Sequence, residues 1–86
     1  MLTDPDLPRD VSRALRRSLQ WLLDAYGATW RDLVRADRSR RWRPARNAVY
    51  WLLRCRGWSY KRIGRVCRRD HTSILHSLRK ANLWTS

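Results

Sequence analysis

Apolar residues recur every three or four positions through most of the chain, which is the period of amphipathic helices, and no stretch alternates as a half-buried strand does. The first such stretch covers residues 10–26. Its apolar positions are Val11, Ala14, Leu15, Leu19, Leu22, Leu23 and Tyr26. Asp10 or Ser12 can cap its first turn, and Gly27 can end it. The pattern predicts one long amphipathic helix.

Two further helices are predicted on either side of a polar interval. Thr29 can cap a short second helix that extends to about Arg35. Its apolar residues are Trp30, Leu33 and Val34. Pro44 suits the first turn of a third helix, because the amide that proline lacks would have no partner there. This helix is expected to run to about Arg56 and to stop at Gly57. Its apolar positions are Ala45, Ala48, Val49 and Leu52.

A fourth, shorter helix follows at once. Ser59 can serve as its N-cap, and Ile63 and Val66 have the spacing of inward-facing residues. Gly64 lacks a side chain and so allows close packing at that point of the helix. A tight turn through residues 67–69 is expected to lead to the last helix.

The last helix has two contrasting faces. Asp70 is a good N-cap, because its carboxylate can accept from the unpaired amides of the first turn. The apolar stripe consists of Ile74, Leu75, Leu78 and Ala81. The opposite, polar side consists of Thr72, His76 and Arg79, flanked by Ser73 and Lys80. The helix is therefore expected to pack through one face and to present hydrogen-bonding and cationic groups on the other.

A short helix, a tight turn and a helix with a polar N-terminus follow one another in the order of a helix-turn-helix. We therefore predict an all-α fold of about five helices that contains this motif. Residues 10–82 are expected to form a single domain, with a flexible tail at 1–9 and a frayed C-terminus at 83–86. The 86 residues leave room for one compact core.

The chain is strongly basic, with 20 Lys plus Arg against 7 Asp plus Glu and a formal net charge of +13. Twelve of the basic residues, and no acidic residue, lie between Arg38 and Arg69, a block that includes the four arginines of a basic, arginine-rich loop at 36–44. Such a block indicates a polyanionic partner, with nucleic acid as the first candidate. No stretch resembles a signal peptide or approaches the ~20 apolar residues that span a bilayer. We expect a cytoplasmic, nucleoid-associated protein without membrane contact.

Metal binding and catalysis find little support in the sequence. The soft metal ligands are Cys55, Cys67, His71 and His76. They lack the close cysteine pair of zinc fingers, and two histidines five residues apart on a helix point in different directions. Buried, reduced cysteines explain the pattern better. The carboxylates do not accompany a nucleophile motif. We expect no metal, no cofactor and no enzymatic activity.

The stretch from Arg69 to His76 resembles the signature of the C-terminal DNA-binding domain, domain IV, of the bacterial replication initiator DnaA. That signature is roughly Arg-Asp-His-(Ser/Thr)-Thr-(Val/Ile)-Leu-His, and the chain matches it apart from Ser73. Ser59 with residues 63–64 resembles the first helix of the family's helix-turn-helix, and the arginine-rich loop resembles its basic loop. The similarity covers about residues 12–82 and implies a Trp-repressor-like fold, here as a stand-alone copy of the domain.

The resemblance also implies which residues contact DNA, since members of the family bind nine-base-pair boxes. Base edges in the major groove would be read by Arg69, Asp70, His71 and Thr72. The minor groove would receive one of three arginines of the basic loop, which are Arg38, Arg40 and Arg41. Phosphates would be held by Arg46, Arg54, Lys61, Ser73 and His76. The chemistry agrees, because a carboxylate can accept from cytosine N4 and arginine suits a narrow minor groove.

The implied function is the occupation of DnaA-box-like sites in double-stranded DNA, modulating replication initiation or transcription. The sequence has no Gly-x-x-x-x-Gly-Lys-(Ser/Thr) loop, so no ATPase activity is expected. Between Gly64 and Arg69 the chain has four residues where the family usually has five that include glycine, and the tighter turn is expected to tilt the last helix.

Two alternative functions remain open, and we expect a monomer in each case. One is non-specific binding of DNA by a basic surface. The other is binding to the replication initiator or another protein through the N-terminal helix. Trp21 lies at the margin of that helix's apolar stripe and is expected to pack, whereas an exposed indole would favour a partner. Trp42, inside the basic loop, is either a lid on the core or a contact residue.

Overall fold

The computed structural model describes residues 4–34 and 40–81, and these two segments form α-helices without any strand. The elements are α1 (Arg13–Tyr26), α2 (Trp30–Val34), a 3-10 turn (Arg40–Trp42), α3 (Arg43–Cys55), α4 (Tyr60–Cys67) and α5 (His71–Lys80). The predicted all-α fold with about five helices is confirmed. The predicted end of the second helix at Arg35 and the frayed C-terminus at 83–86 lie outside the described residues.

Local side-chain chemistry sets the ends of α1 and α2. Ser12, rather than Asp10, caps α1, and its Oγ accepts from an amide of the first turn at 3.2 Å. Gly27 ends this helix in the left-handed conformation, with φ of 64°. At α2, Asp32 N donates to Thr29 Oγ1 and Thr29 N donates to an Asp32 carboxylate oxygen, which together make a capping box. The chain therefore turns sharply between the two helices.

Helix α3 contacts α1, α4 and α5, so the core forms around it. The largest fully buried side chains are Leu19, Leu23, Val49, Leu53, Ile63, Ile74 and Leu78. Of these, Leu53 was outside the predicted apolar stripe of its helix, where Leu52 had been expected and is only half-buried. The remaining six are at predicted apolar positions. The core thus fastens both helices of the helix-turn-helix to α3.

Five residues that were expected to be buried lie at the surface, and two of them are Ala14 and Tyr26 on α1. Ala81 is the C-cap of α5 and is exposed, because the last turn of that helix extends past the core. Cys55 is exposed at the end of α3, whereas Cys67 is buried as expected. Trp21 is 74% exposed, so the expectation that it packs is wrong. It lies two residues from the buried leucines on either side, and two residues on a helix point in nearly opposite directions.

Residues 4–9, the described part of the tail expected at 1–9, make contacts with the helices. Leu7 is buried, with 4% of its surface exposed. A carboxylate oxygen of Asp4 accepts from Trp30 N at 2.8 Å, and Asp4 N donates to Gln20 Oε1 at 2.6 Å. The described part of this segment is therefore tied to the domain, because a leucine fills the core and a carboxylate meets an amide in the first turn of α2.

Burial in the core predicts a loss of stability at alkaline pH. It raises the pKa of the Cys67 thiol from 9.0 to about 12 and the pKa of Tyr50 from 10.0 to about 12. Between about pH 9 and pH 12 the unfolded chain releases protons that the folded chain retains, so the free energy of unfolding should fall. Urea unfolding between pH 8 and pH 11 measures this fall. Cys67→Ala should make the fall smaller, and Cys55→Ala, at an exposed site, should leave it unchanged. A free energy of unfolding that stays constant over this range would contradict the assignment.

Candidate nucleic-acid interface

Helices α4 and α5 form the helix-turn-helix, and the turn between them is held by backbone contacts. Ser59 caps α4, as predicted, by accepting from Arg62 N at 3.2 Å. Arg68 ends α4 in the left-handed conformation, with φ of 57°, and Arg69 N then donates to Gly64 O at 2.9 Å. A Cβ atom on Gly64 would lie 2.5 Å from Arg69 O. The predicted close approach at this glycine is therefore between two backbones.

The N-terminus of α5 presents three exposed polar side chains. Asp70 is the N-cap, as predicted, and its Oδ1 accepts from Thr72 N at 3.0 Å and from Thr72 Oγ1 at 2.9 Å. These hydrogen bonds hold the pKa of the Asp70 carboxyl below its ordinary value. His71 Nδ1 lies 3.6 Å from the same carboxylate oxygen. Ile74, one turn later, is fully buried and anchors the helix. An acceptor, an imidazole and a hydroxyl are thus presented from a fixed support.

A shallow groove of about 490 Å³ lies between α4 and the start of α5. Its lining residues are Lys61, Gly64, Arg65, Arg68, Arg69, Asp70 and His71. Lys61, Arg65 and Arg68 are exposed and follow one another at helical spacing. Sequence reasoning missed Arg65 and Arg68 as site residues, although their distances of four and seven positions from Lys61 were a signal that could have found them. The groove is therefore cationic beside the carboxylate of Asp70.

Two of the arginines expected to hold phosphates make contacts within the domain. Arg46 Nε donates to Leu33 O at 3.0 Å and thereby joins α3 to the end of α2. Arg54 donates to Trp58 O at 2.9 Å, and its guanidinium lies 4.6 Å from the centre of the Tyr60 ring. Both arginines are half-buried. Each has a structural part in the fold, and their phosphate contacts stay a prediction.

The other expected contacts of the helix-turn-helix divide into one half-buried residue and three exposed ones. Arg69 is half-buried and donates a hydrogen bond to the Tyr50 side chain, so its guanidinium is directed toward α3. Lys61, Ser73 and His76 are exposed. Lys61 lies on α4, and the other two lie on α5 beyond its first polar residues. The phosphate contacts of these three exposed residues stay a prediction.

The candidate minor-groove arginines precede α3. Arg38 lies outside the described residues, and of Arg40 the structure describes the backbone, which begins the 3-10 turn. Arg41 is exposed, and its guanidinium lies 4.8 Å from the centre of the Trp42 ring. Trp42 is half-buried and packs against the core, so it acts as a lid. Of the three candidates, Arg41 is the one whose side chain the structure places at the surface.

Two further observations concern the segments that the structure describes. None of their helices combines the length and the apolar character that crossing a bilayer requires. Within residues 4–34 and 40–81, no three His, Cys, Asp or Glu side chains gather in a position to hold a metal ion.

The second helix of the motif has an exposed polar N-terminus, lies beside a cationic groove and is held by a buried face. This arrangement is that of the helix-turn-helix DNA-binding domains. Comparison with models of protein families gives a match to the bacterial dnaA protein helix-turn-helix over residues 19–81. The chain belongs to this family, and the resemblance found in the sequence is confirmed. The matched domain binds DNA and is not catalytic. Searches of curated proteins and of solved structures gave no significant match.

Proposed function

We propose that this protein binds double-stranded DNA sequence-specifically, at DnaA-box-like sites, and thereby modulates replication initiation or transcription in association with the nucleoid. The observation that carries the proposal is the exposed Asp70, His71 and Thr72 at the start of a helix whose next turn is buried. Membership of the family supports DNA as the ligand. The binding unit is a monomer, and the helix-turn-helix needs no ATPase module in order to occupy a site.

In the proposed complex, α5 enters the major groove with its N-terminus leading. Asp70 accepts from the N4 amino group of a cytosine, and Thr72 and His71 contact neighbouring base edges. Lys61, Ser73 and His76 hold phosphates, which positions the helix without specifying sequence. Arg65 and Arg68 also hold phosphates, because they line the same groove as Lys61. An arginine of the basic loop enters the adjacent minor groove.

Competition between duplexes tests the proposal. A duplex with a box-like site, chosen by selecting bound sites from random DNA, competes against a scrambled duplex of the same composition for labelled protein. A clear preference for the selected site is expected. Equal affinity for both duplexes would instead support non-specific binding by the basic surface. Salt titration separates the two functions poorly, because phosphate contacts dominate the salt dependence of both.

A pair of variants separates folding from phosphate binding. Arg46→Ala should lower the free energy of unfolding by roughly 1–2 kcal/mol, because it removes a charged donor from the half-buried Leu33 carbonyl contact. Lys61→Ala, at an exposed site, should leave stability within about 0.5 kcal/mol of the parent protein. It should weaken binding to all duplexes equally and reduce the slope of log affinity against log salt by about 1. Urea unfolding and salt titration measure both effects. An Arg46→Ala protein of unchanged stability would contradict the structural part given to Arg46.

A second candidate function, a protein-binding modulator of the replication initiator, is favoured by one observation. Trp21 exposes 74% of its surface on α1. Exposed apolar surface on a helix can serve as a contact site for another protein. This function is compatible with DNA binding, because Trp21 lies on a different helix from the cationic groove.

A further inference from the structure

Helices α1 and α3 each present an uncharged face that includes an exposed tryptophan. On α1 the face repeats at positions i, i+3, i+4 and i+7, as Ser18, Trp21, Leu22 and Ala25. On α3 the same spacing gives Ala48, Trp51, Leu52 and Cys55. Trp21 is 74% and Trp51 43% exposed. The leucine beside each indole is half-buried and packs against the core. Each exposed indole is therefore next in sequence to a leucine that packs against the core.

The two helices that carry these faces are in contact, and one side-chain hydrogen bond joins them beside the faces. Helices α1 and α3 pack against each other, and Arg56, directly after α3, donates to Ser18 Oγ at 3.4 Å. Ser18 is one turn before Leu22, and Arg56 is one turn after Leu52. We call the eight residues of both helices the tryptophan face. It contains no charged residue, although the chain has a net charge of +13.

We propose that the tryptophan face docks an amphipathic segment of another protein, which covers the two indoles with apolar side chains and carries acidic residues along its flanks. Trp21 and Trp51 supply the aromatic anchors that dominate protein interfaces. This inference makes the protein-binding candidate above specific. It does not depend on DNA binding, because the surface and the assay below involve no DNA.

Charge selects this occupant over a second copy of the chain. Helices α1 and α3 together with Arg56 carry seven arginines and a single acidic residue, Asp24. The Asp24 carboxylate already accepts from Gln20 Nε2 at 2.8 Å. A second copy would bring its own Arg17 and Arg56 to the interface, and like charges facing each other across an interface are unfavourable. An acidic flank would instead meet Arg17, one turn before Trp21, and Arg56.

Binding of synthetic peptides to the full chain tests the proposal. The probe is a helix-forming peptide with leucines on one face and glutamates on both flanks. One control peptide has the leucines replaced by serines at unchanged charge, and another has the glutamates replaced by lysines. In a ¹⁵N-labelled protein, the probe should shift the indole N–H signals of Trp21 and Trp51 and leave those of the buried Trp30 and Trp58 in place. Neither control peptide should do so at the same concentration.

Two variants complete the test. Trp21→Ala and Trp51→Ala should each weaken binding of the probe peptide about tenfold or more. The thermal stability of the Trp21→Ala protein should be unchanged. Equal binding of the serine peptide, with shifts confined to Lys61 and its neighbours on α4, would overturn the proposal, since the peptide would then occupy the cationic groove. Concentration-dependent dimers that Trp21→Ala abolishes would also overturn it, in favour of a second copy.

Discussion

Replacing Gly64 with alanine is expected to lower the free energy of unfolding by roughly 1–3 kcal/mol. It is also expected to weaken DNA binding by the folded protein. The added methyl group would lie 2.5 Å from Arg69 O and 3.3 Å from His71 N. Both atoms belong to the backbone, so the clash can be relieved only if the turn moves. The intrinsic preference of helices for alanine, about 1 kcal/mol over glycine, offsets part of the cost. Urea unfolding and duplex titration at a temperature where the variant is folded measure the two effects.

Gly27→Ala is the matched control, since it makes the same chemical change at a different kind of site. A Cβ atom on Gly27 would meet nothing within 4 Å, and the cost there comes only from φ of 64°. We expect a loss of roughly 1 kcal/mol in stability and an unchanged affinity for DNA. If Gly64→Ala reduced DNA binding no more than Gly27→Ala does, the contact between α4 and the turn would not be what positions α5.

Replacing Asp70 with asparagine is expected to reduce the preference for a selected site over a scrambled duplex by roughly 10- to 100-fold. Asparagine is about as good an N-cap as aspartate, so α5 should keep its first turn. The side chain would no longer be a pure acceptor for cytosine N4, and asparagine favours adenine instead. The preferred base pair at one position should therefore change. Selection of sites from random DNA with both proteins measures this change directly.

The behaviour of Asp70→Ala and the effect of pH provide the controls. Alanine removes the cap as well as the acceptor, so Asp70→Ala should lose thermal stability and base preference together, whereas Asp70→Asn should lose only the preference. Hydrogen bonds from Thr72 lower the pKa of Asp70 from 3.8. The carboxylate therefore stays charged as the pH falls from neutral, and its contribution to stability is lost only below that value. An unchanged site preference in Asp70→Asn would remove Asp70 from the base-reading residues.

Helix boundaries and the helix-turn-helix could be predicted because their signals are local. Ser59 and Asp70 were identified as N-caps from residue type and position, and each accepts the expected amide hydrogen bond within three residues. The close approach at Gly64 was expected for a related reason, since a glycine within a short helix indicates close packing. The family signature from Arg69 to His76 is likewise a local pattern, which identifies the family without any tertiary contact.

The contacts and the burial of large side chains could not be predicted, because they depend on elements distant in sequence. The resemblance implied a phosphate contact for Arg46, and nothing local in the sequence indicated that its Nε donates to a carbonyl thirteen residues earlier, at the end of α2. Leu7 was expected in a flexible tail, and it is buried with residues that come later in the chain. Trp21 lay at the edge of an apolar stripe, where the periodicity does not separate packing from exposure.

Two selective pressures act in opposite directions on Arg68. Its left-handed backbone, with φ of 57°, is a conformation that glycine adopts without cost. A change to glycine would relieve that strain and would also remove a cation from the groove. Selection for a more stable domain and selection for tighter attachment to a polyanion thus act on this residue in opposite directions. Lineages under strong thermal stress are expected to carry glycine here and to restore the lost charge elsewhere along α4.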